Sequence, residues 1–405
     1  MKRRDFLWLT AGGVLAETLP AQVDPWGSTQ GYPSGWGQPR AFLSRTQTRV
    51  GNYSGGFEQM FPTRTIKRGA KIASLAKAST PTELRFRSGL TTKTVEEYVR
   101  TRPVTALLIA RKGQIIAEHY AMGRTPAMRM TGWSMSKSIT ALLLGLVIDR
   151  GLIASLDDPV AKYVKDLDGT TYSDMTLRNL VNMSTGLQLS GDLLADNQSF
   201  YSDALFKADS NILGVLRVPR PKGVQGAKYL YNDLAPLIVG EVIRNTAGKS
   251  LSEFCQETLW QPMGAEADAT WLTDSVGREF NSIGFAAGIR DWARLGQLVA
   301  QRGEMNGQQI ISRGWIDECL SWGERDRQVR VGQVTSAHGL ATGYKAFFWH
   351  AKADGSRPQM SGFHGQRMMI DMESQTVLVQ TAVDHEGWLA ELNPLFESAV
   401  ATTVR

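Results

Sequence analysis

Cysteine is scarce in this chain, with two residues in 405, Cys255 and Cys319. Both fall in helix-like segments, 251–260 and 315–322, and are expected as buried thiols, not as a disulfide framework. Histidine is nearly as rare, with five residues, and no Cys/His pair has metal-ligand spacing. No metal site and no cofactor are therefore expected. No apolar run reaches the length of about 18 residues that a spanning helix needs. Lys/Arg blocks interleaved with aromatics are missing too, so the formal charge of +6 is background and nucleic acid is not an expected partner. No internal repeat is visible. What remains is an ordinary globular composition, 42% hydrophobic and 21% charged, enough for one large core or two packed lobes.

The first residues do carry a signal. Arg3-Arg4, one spacer, then Phe6-Leu7, a short apolar run to Leu19 and the small residue Ala21 read as a twin-arginine export signal over residues 1–21. The stretch is too short to span a bilayer, so no stable membrane insertion is expected once it is cleaved; an uncleaved interfacial anchor is the alternative. The expected location is the periplasm. Residues 22–90 are rich in Gly, Pro, Ser and isolated aromatics (Trp26, Tyr32, Trp36, Tyr53) and are expected as an irregular arm.

Beyond the arm, Glu96–Arg100 looks like the end of a first helix. Val104–Ala110 and Gln114–Ala121 are β-rich runs split by Arg111-Lys112-Gly113, a hairpin. Ser155–Val160 carries a polar cap and an early proline, the signature of another helix start. The middle of the chain reads as helix and loop, with helices expected at 175–183 and 233–246. A long amphipathic helix is expected over 291–302, followed by a turn at Asn306-Gly307. Strands return at 344–349, 367–371 and 376–381, and a final helix closes the chain near 387–402. Strands at both ends around a helical insert predict an α/β (α+β) fold: one mixed, largely antiparallel sheet built from both termini and flanked by helices, plus an all-α lobe. The expected boundaries are 91–154 with 285–405 for the sheet domain and 155–284 for the lobe.

One stretch carries chemistry. In Trp133-Ser134-Met135-Ser136-Lys137, a serine and a lysine three residues apart share one face of a helix. A run of apolar residues, Ala141–Ile148, makes that helix central. A lysine desolvated against those turns would hold a depressed pKa and help remove the serine proton. The spacing alone is common: Ser74-Leu75-Ala76-Lys77 matches it within a polar, basic stretch. A hydrolase also needs a base and an oxyanion site. Tyr231 in Tyr229-Leu230-Tyr231-Asn232-Asp233 is the candidate base, and on residues alone it reads as readily as a core tyrosine. Ser361-Gly362-Phe363-His364-Gly365-Gln366, glycine-rich and entering a strand, is the candidate oxyanion segment or a plain β-bulge.

These segments occur in a telling order: Trp133–Lys137, Ser155–Val160, Asn182-Met183-Ser184-Thr185-Gly186, Tyr231–Asp233 with Gly240 beyond, Leu259–Ala265, Arg290–Gly296 and Gly362–Gln366. The set resembles the class C β-lactamase-like serine hydrolases, and most of all their 6-aminohexanoate-dimer (nylon-oligomer) hydrolase branch. The resemblance spans about residues 90–400 and implies the β-lactamase/transpeptidase-like fold. By it Ser134 is the nucleophile, Lys137 its partner and Tyr231 the general base and later acid. The backbone N–H groups of Ser134 and Phe363 form the oxyanion hole, and the substrate is a small amide or ester. Asp233, Gly362, His364, Tyr201 and Asp203 are candidate pocket residues, with His364 either touching substrate or closing the strand end. Two departures stand out. Met360-Ser361-Gly362 replaces Lys-Thr-Gly, which argues against β-lactams, and position 233 is Asp where many relatives have Asn. That carboxylate either raises the Lys137 pKa or pairs with the lysine. No G-x-S-x-G surrounds Ser134, which disfavours an α/β-hydrolase elbow. A penicillin-recognising β-lactamase or D-alanyl-D-alanine carboxypeptidase, and a non-catalytic binding relative, are the competing readings. A monomer or homodimer is expected.

Overall fold

A computed structural model describes residues 58, 61–79, 83–189, 211–334, 336, 339–383 and 389–402. The expected export signal, Trp26, Tyr32, Trp36, Tyr53, Tyr201 and Asp203 lie outside the described residues. The main sheet has eight strands, in the order Gly343–Lys345, Phe348–His350, Pro358–Gly362, Gln366–Asp371, Thr376–Ala382, Val104–Arg111, Gln114–Tyr120 and Ala76–Lys77. All neighbours are antiparallel except the last pair, where Ala76 runs parallel to Gln114. The two ends of the chain meet at its centre, where Leu108 faces Val379.

Side-chain alternation explains why Val104–Ala110 is an unbroken apolar run. Leu108 and Ala110 join the core shared with Leu295, Met368 and Val377. Leu107 and Ile109 point the other way and pack with Tyr98, Leu378, Leu392 and Phe396 from the terminal helices. A strand covered on both faces has no polar side to show. The helices responsible are Ile289–Ala300 on one face, and Val95–Thr101 with Leu392–Ala401 on the other.

The central helix runs Met135–Asp149, and every residue from Met135 to Val147 is buried. It packs against Leu234–Ala247, Arg313–Leu320 and the strands Pro358–Gly362 and Gln366–Asp371 of the main sheet. Gly145 is what lets Arg313–Leu320 approach. A Cβ there would fall inside the Trp315 ring, whose Nε1 donates to the Ala141 carbonyl at 3.0 Å.

Four expectations change. Thr63–Ile66, within the supposed irregular arm, is a strand that pairs with Ala269–Leu272, and Arg85–Ser88 forms a hairpin with Thr91–Thr94. Ala269–Leu272 lies inside the segment expected to be all-helical; with Phe285–Ala287 and Met130–Thr131 it completes a second, four-stranded sheet. Ser155–Val160 opens no α-helix. The Asp158 side chain accepts from Ser155 N at 3.1 Å, Pro159 is extended, and only a short 3-10 turn, Val160–Lys162, follows. Residues 344–349 are not one strand: Ala346 and Phe347 have φ of 47° and 61° and turn the chain into a hairpin. The partners that hold this turn come from elsewhere. Asn182 Oδ1 accepts from Ala346 N at 3.1 Å, Val181 O accepts from Phe347 N at 2.9 Å, and Ser138 Oγ donates to Phe347 O at 2.7 Å.

Candidate active site

Met130–Thr131 delivers the chain to Gly132-Trp133-Ser134 at the start of the central helix. Trp133 has φ of 49°, a left-handed value that a bulky residue adopts only where its surroundings impose it. Ser136 Oγ donates to the Trp133 carbonyl at 2.6 Å and accepts Phe285 N at 3.0 Å, which ties the bend to the second sheet. Ser134 sits at the N-cap, where a serine hydroxyl ordinarily accepts a helix N–H. Here it makes no such bond. Its Oγ accepts instead from Lys137 Nζ at 2.9 Å.

Lys137 is 1% exposed. Its ammonium has three acceptors: Ser134 Oγ, the Ser282 carbonyl at 3.0 Å, and the Asp233 carboxylate in an ion pair. Tyr231 is a further hydrogen-bond partner, so the buried cation is surrounded by oxygens. Burial alone pushes the lysine pKa down, but the Asp233 carboxylate, with Tyr231 beside it, outweighs this and holds it above the ordinary value. The depressed pKa expected from the apolar helix is therefore corrected: of the two outcomes expected for Asp233, both occur.

The neighbour of Asp233 does the capping. Asn232 Oδ1 accepts Ala235 N at 2.9 Å at the start of the Leu234–Ala247 helix, whereas Asp233 makes no side-chain cap bond. Two residues earlier, the Tyr231 ring lies 5.0 Å from Lys137 Nζ. It stacks on Trp349 with ring centroids 5.7 Å apart and meets Tyr344 edge-on at 6.1 Å. Burial pushes the Tyr229 and Tyr344 phenols well above the ordinary value, so both stay neutral.

The glycine-rich segment closes the site. Gly362 ends the Pro358–Gly362 strand, and a Cβ there would collide with the Gly132 carbonyl and crowd Trp133 Cβ at 3.1 Å. Only glycine lets this strand touch the backbone that precedes Ser134. Phe363–Gly365 then makes a tight 3-10 turn, with His364 at φ 57°. Phe363 is 36% exposed. His364 is buried, its ring edge-on to Trp133 at 5.8 Å and 4.3 Å from Phe363. It packs between the segment and the residue before Ser134. Met360 is fully buried.

Ser134, Lys137, Tyr231, Asp233, Gly362 and Phe363 are thus brought together. The motifs did not reveal the Ser282 carbonyl, the Trp349 and Tyr344 rings, or Arg367 behind the turn. A carbonyl has no residue signature, and the other three lie in strand-like runs where pattern reads only as core. Among the described residues no His, Cys, Asp and Glu group could hold a metal ion. No helix of the described residues is long and apolar enough to cross a membrane. Cys255 and Cys319 are both buried free thiols.

Comparison with known proteins places this geometry. The beta-lactamase family model matches residues 91–386. A 6-aminohexanoate-dimer hydrolase of Paenarthrobacter ureafaciens is 25% identical over 294 residues, covering 71% of this chain and 74% of that protein. A solved Bacillus anthracis structure assigned as a 6-aminohexanoate-dimer hydrolase has the same fold, with a TM-score of 0.78 at 21% identity over 91% of this chain and 97% of that one. A family VIII carboxylesterase superposes with a TM-score of 0.57 at 17% identity, over 75% of this chain and 93% of its own.

Proposed function

The chain belongs to the beta-lactamase family of hydrolases, and from that premise we propose that it cleaves a small amide or ester through an acyl-enzyme on Ser134. The observation that carries this reading is the buried chain Ser134 Oγ–Lys137 Nζ–Asp233, with Tyr231 above it. A buried lysine whose cation the Asp233 carboxylate stabilises is a poor base. It acts instead as a fixed positive charge that orients Ser134 Oγ and stabilises charge developing there.

The base is then Tyr231. Ser134 Oγ attacks the carbonyl carbon as its proton passes to the Tyr231 oxygen, and the backbone N–H groups of Ser134 and Phe363 receive the oxyanion. Tyr231 returns that proton to the leaving nitrogen or oxygen as the C–N or C–O bond breaks. Water then loses a proton to Tyr231, attacks the acyl carbon, and Ser134 Oγ regains its proton. Linear ω-amino acid amides and short esters are the substrate classes that the sequence relative and the carboxylesterase fold support. Buried Met360 supplies no cation for a β-lactam carboxylate.

The deciding experiment compares wild type and Ser134→Ala on p-nitrophenyl butyrate and on a 6-aminohexanoate dimer, with a penicillin incubation read by mass spectrometry. Activity is lost in the variant, and no lasting penicillin adduct forms on wild type. An alanine variant as fast as wild type would end the proposal. Export is part of the same reading and rests on Arg3-Arg4. Arg3→Lys/Arg4→Lys protein reaching the periplasm at wild-type levels would argue against the twin-arginine route.

A further inference from the structure

The peptide between Gly362 and Phe363 carries the N–H assigned above to the oxyanion, and its carbonyl end is held from behind. Arg367 Nη1 donates to Gly362 O at 3.0 Å and to Gln366 O at 2.7 Å. The arginine is only 3% exposed. A peptide is planar and trans, so its C=O and N–H point in opposite directions. Fixing Gly362 O against the guanidinium therefore aims Phe363 N–H the other way, out of the strand. A buried cation on the carbonyl also withdraws electron density through the amide and makes that N–H a stronger donor.

The next peptides are clamped as well. Gln366 Nε2 donates to Phe363 O at 2.9 Å, to His364 O at 3.2 Å and to Ala382 O at 2.7 Å, while its Oε1 accepts Ala382 N at 2.9 Å. The turn is thereby tied to the neighbouring strand on one side, and on the other the His364 ring rests on Trp133, the residue before Ser134. A left-handed His364 in the turn and a left-handed Trp133 next to it persist because these contacts over-determine them.

We propose that Arg367 is a positioning residue for the oxyanion site: through the Gly362 carbonyl it aims and polarises the Phe363 N–H, while Gln366 keeps the turn from relaxing. The inference rests on the acyl-enzyme reading above. Burial pushes the guanidinium pKa down to about 10, still far enough up for Arg367 to remain cationic throughout the working range.

The test is Arg367→Met, with Arg367→Lys as the conservative variant, assayed on matched oxoester and thionoester substrates after active-site titration with a fluorophosphonate. A thionoester places a weakly hydrogen-bonding sulfur where the oxyanion oxygen would be, so the oxoester-to-thionoester ratio of kcat/KM reads the oxyanion site itself. Arg367→Met lowers oxoester kcat by about tenfold or more, leaves KM nearly unchanged, and lowers that ratio by a similar factor. Arg367→Lys recovers part of the ratio, and it carries the test if Arg367→Met does not fold. A parallel fall on both substrates, or an unchanged oxoester kcat in folded Arg367→Met, would overturn the proposal. If Ser134→Ala retains activity, the acyl-enzyme reading fails first, which is a separate result.

Discussion

Replacing Asp233 by Asn keeps the shape of the side chain but removes the carboxylate that faces the buried Lys137 ammonium. Breaking a buried pair by neutralising one partner typically costs about 3–5 kcal/mol, because the other charge is left without compensation. The pH dependence makes the reasoning specific. In wild type the folded-state pKa of Lys137 is raised. Its contribution to stability is therefore complete below the unfolded value of about 10.4 and is lost only as pH rises through the folded value. Between about pH 6 and pH 9 this group adds no slope. In Asp233→Asn the burial that pushes the lysine down is no longer outweighed, so the sign inverts. The unfolded chain then binds the proton more tightly than the folded one, and the variant gains stability as pH rises. Urea unfolding of both proteins at about pH 6 and about pH 9.5 should show a gap of about 3–5 kcal/mol that narrows at the higher pH. Oxoester kcat/KM should fall about tenfold or more at neutral pH, as the cation that orients Ser134 is lost. A variant as stable as wild type, or a gap that is equal at both pH values, would refute the claim that Asp233 holds Lys137 as a cation.

Gly145→Ala places a methyl group inside the Trp315 ring and should destabilise the protein by about 1–3 kcal/mol in urea melts, with kcat on the surviving enzyme unchanged. Trp349→Ala removes the ring stacked on Tyr231, so it should cost more in kcat than in KM; an unchanged kcat would show that the stack does not orient the base. Burial pushes both cysteine thiols well above their ordinary pKa, so native protein should react with a thiol reagent only at its unfolding rate, and two equivalents should appear in denaturant.

Much of this fold was legible locally. The hairpin around Lys112-Gly113, the central Met135–Asp149 helix, the Ile289–Ala300 helix and the Asn306-Gly307 turn follow from apolar periodicity and turn residues, which act within a few positions of the chain. So does the serine–lysine pair, because one helical turn fixes its geometry. Thr63–Ile66 and Ala269–Leu272 were not legible as strands: each is four residues long, and they become strands by pairing with each other across the chain. The Ala346–Phe347 turn was hidden for a similar reason, since aromatic strand formers are bent there by hydrogen bonds from Asn182, Val181 and Ser138.

The charge state of the site lay furthest from the sequence. Residues near in sequence show Lys137 only the apolar turns that follow it, which push its pKa down. Asp233 and Tyr231 arrive from a segment far along the chain, and their electrostatics outweigh the burial. The oxyanion segment divides in the same way. Its glycines announced a candidate oxyanion segment or a plain β-bulge. That Gly362 must meet the Gly132 carbonyl, and that Arg367 grips the peptide from behind, depended on two distant segments packing together. Local spacing placed the serine beside the lysine, and long-range packing determined which of them stays charged.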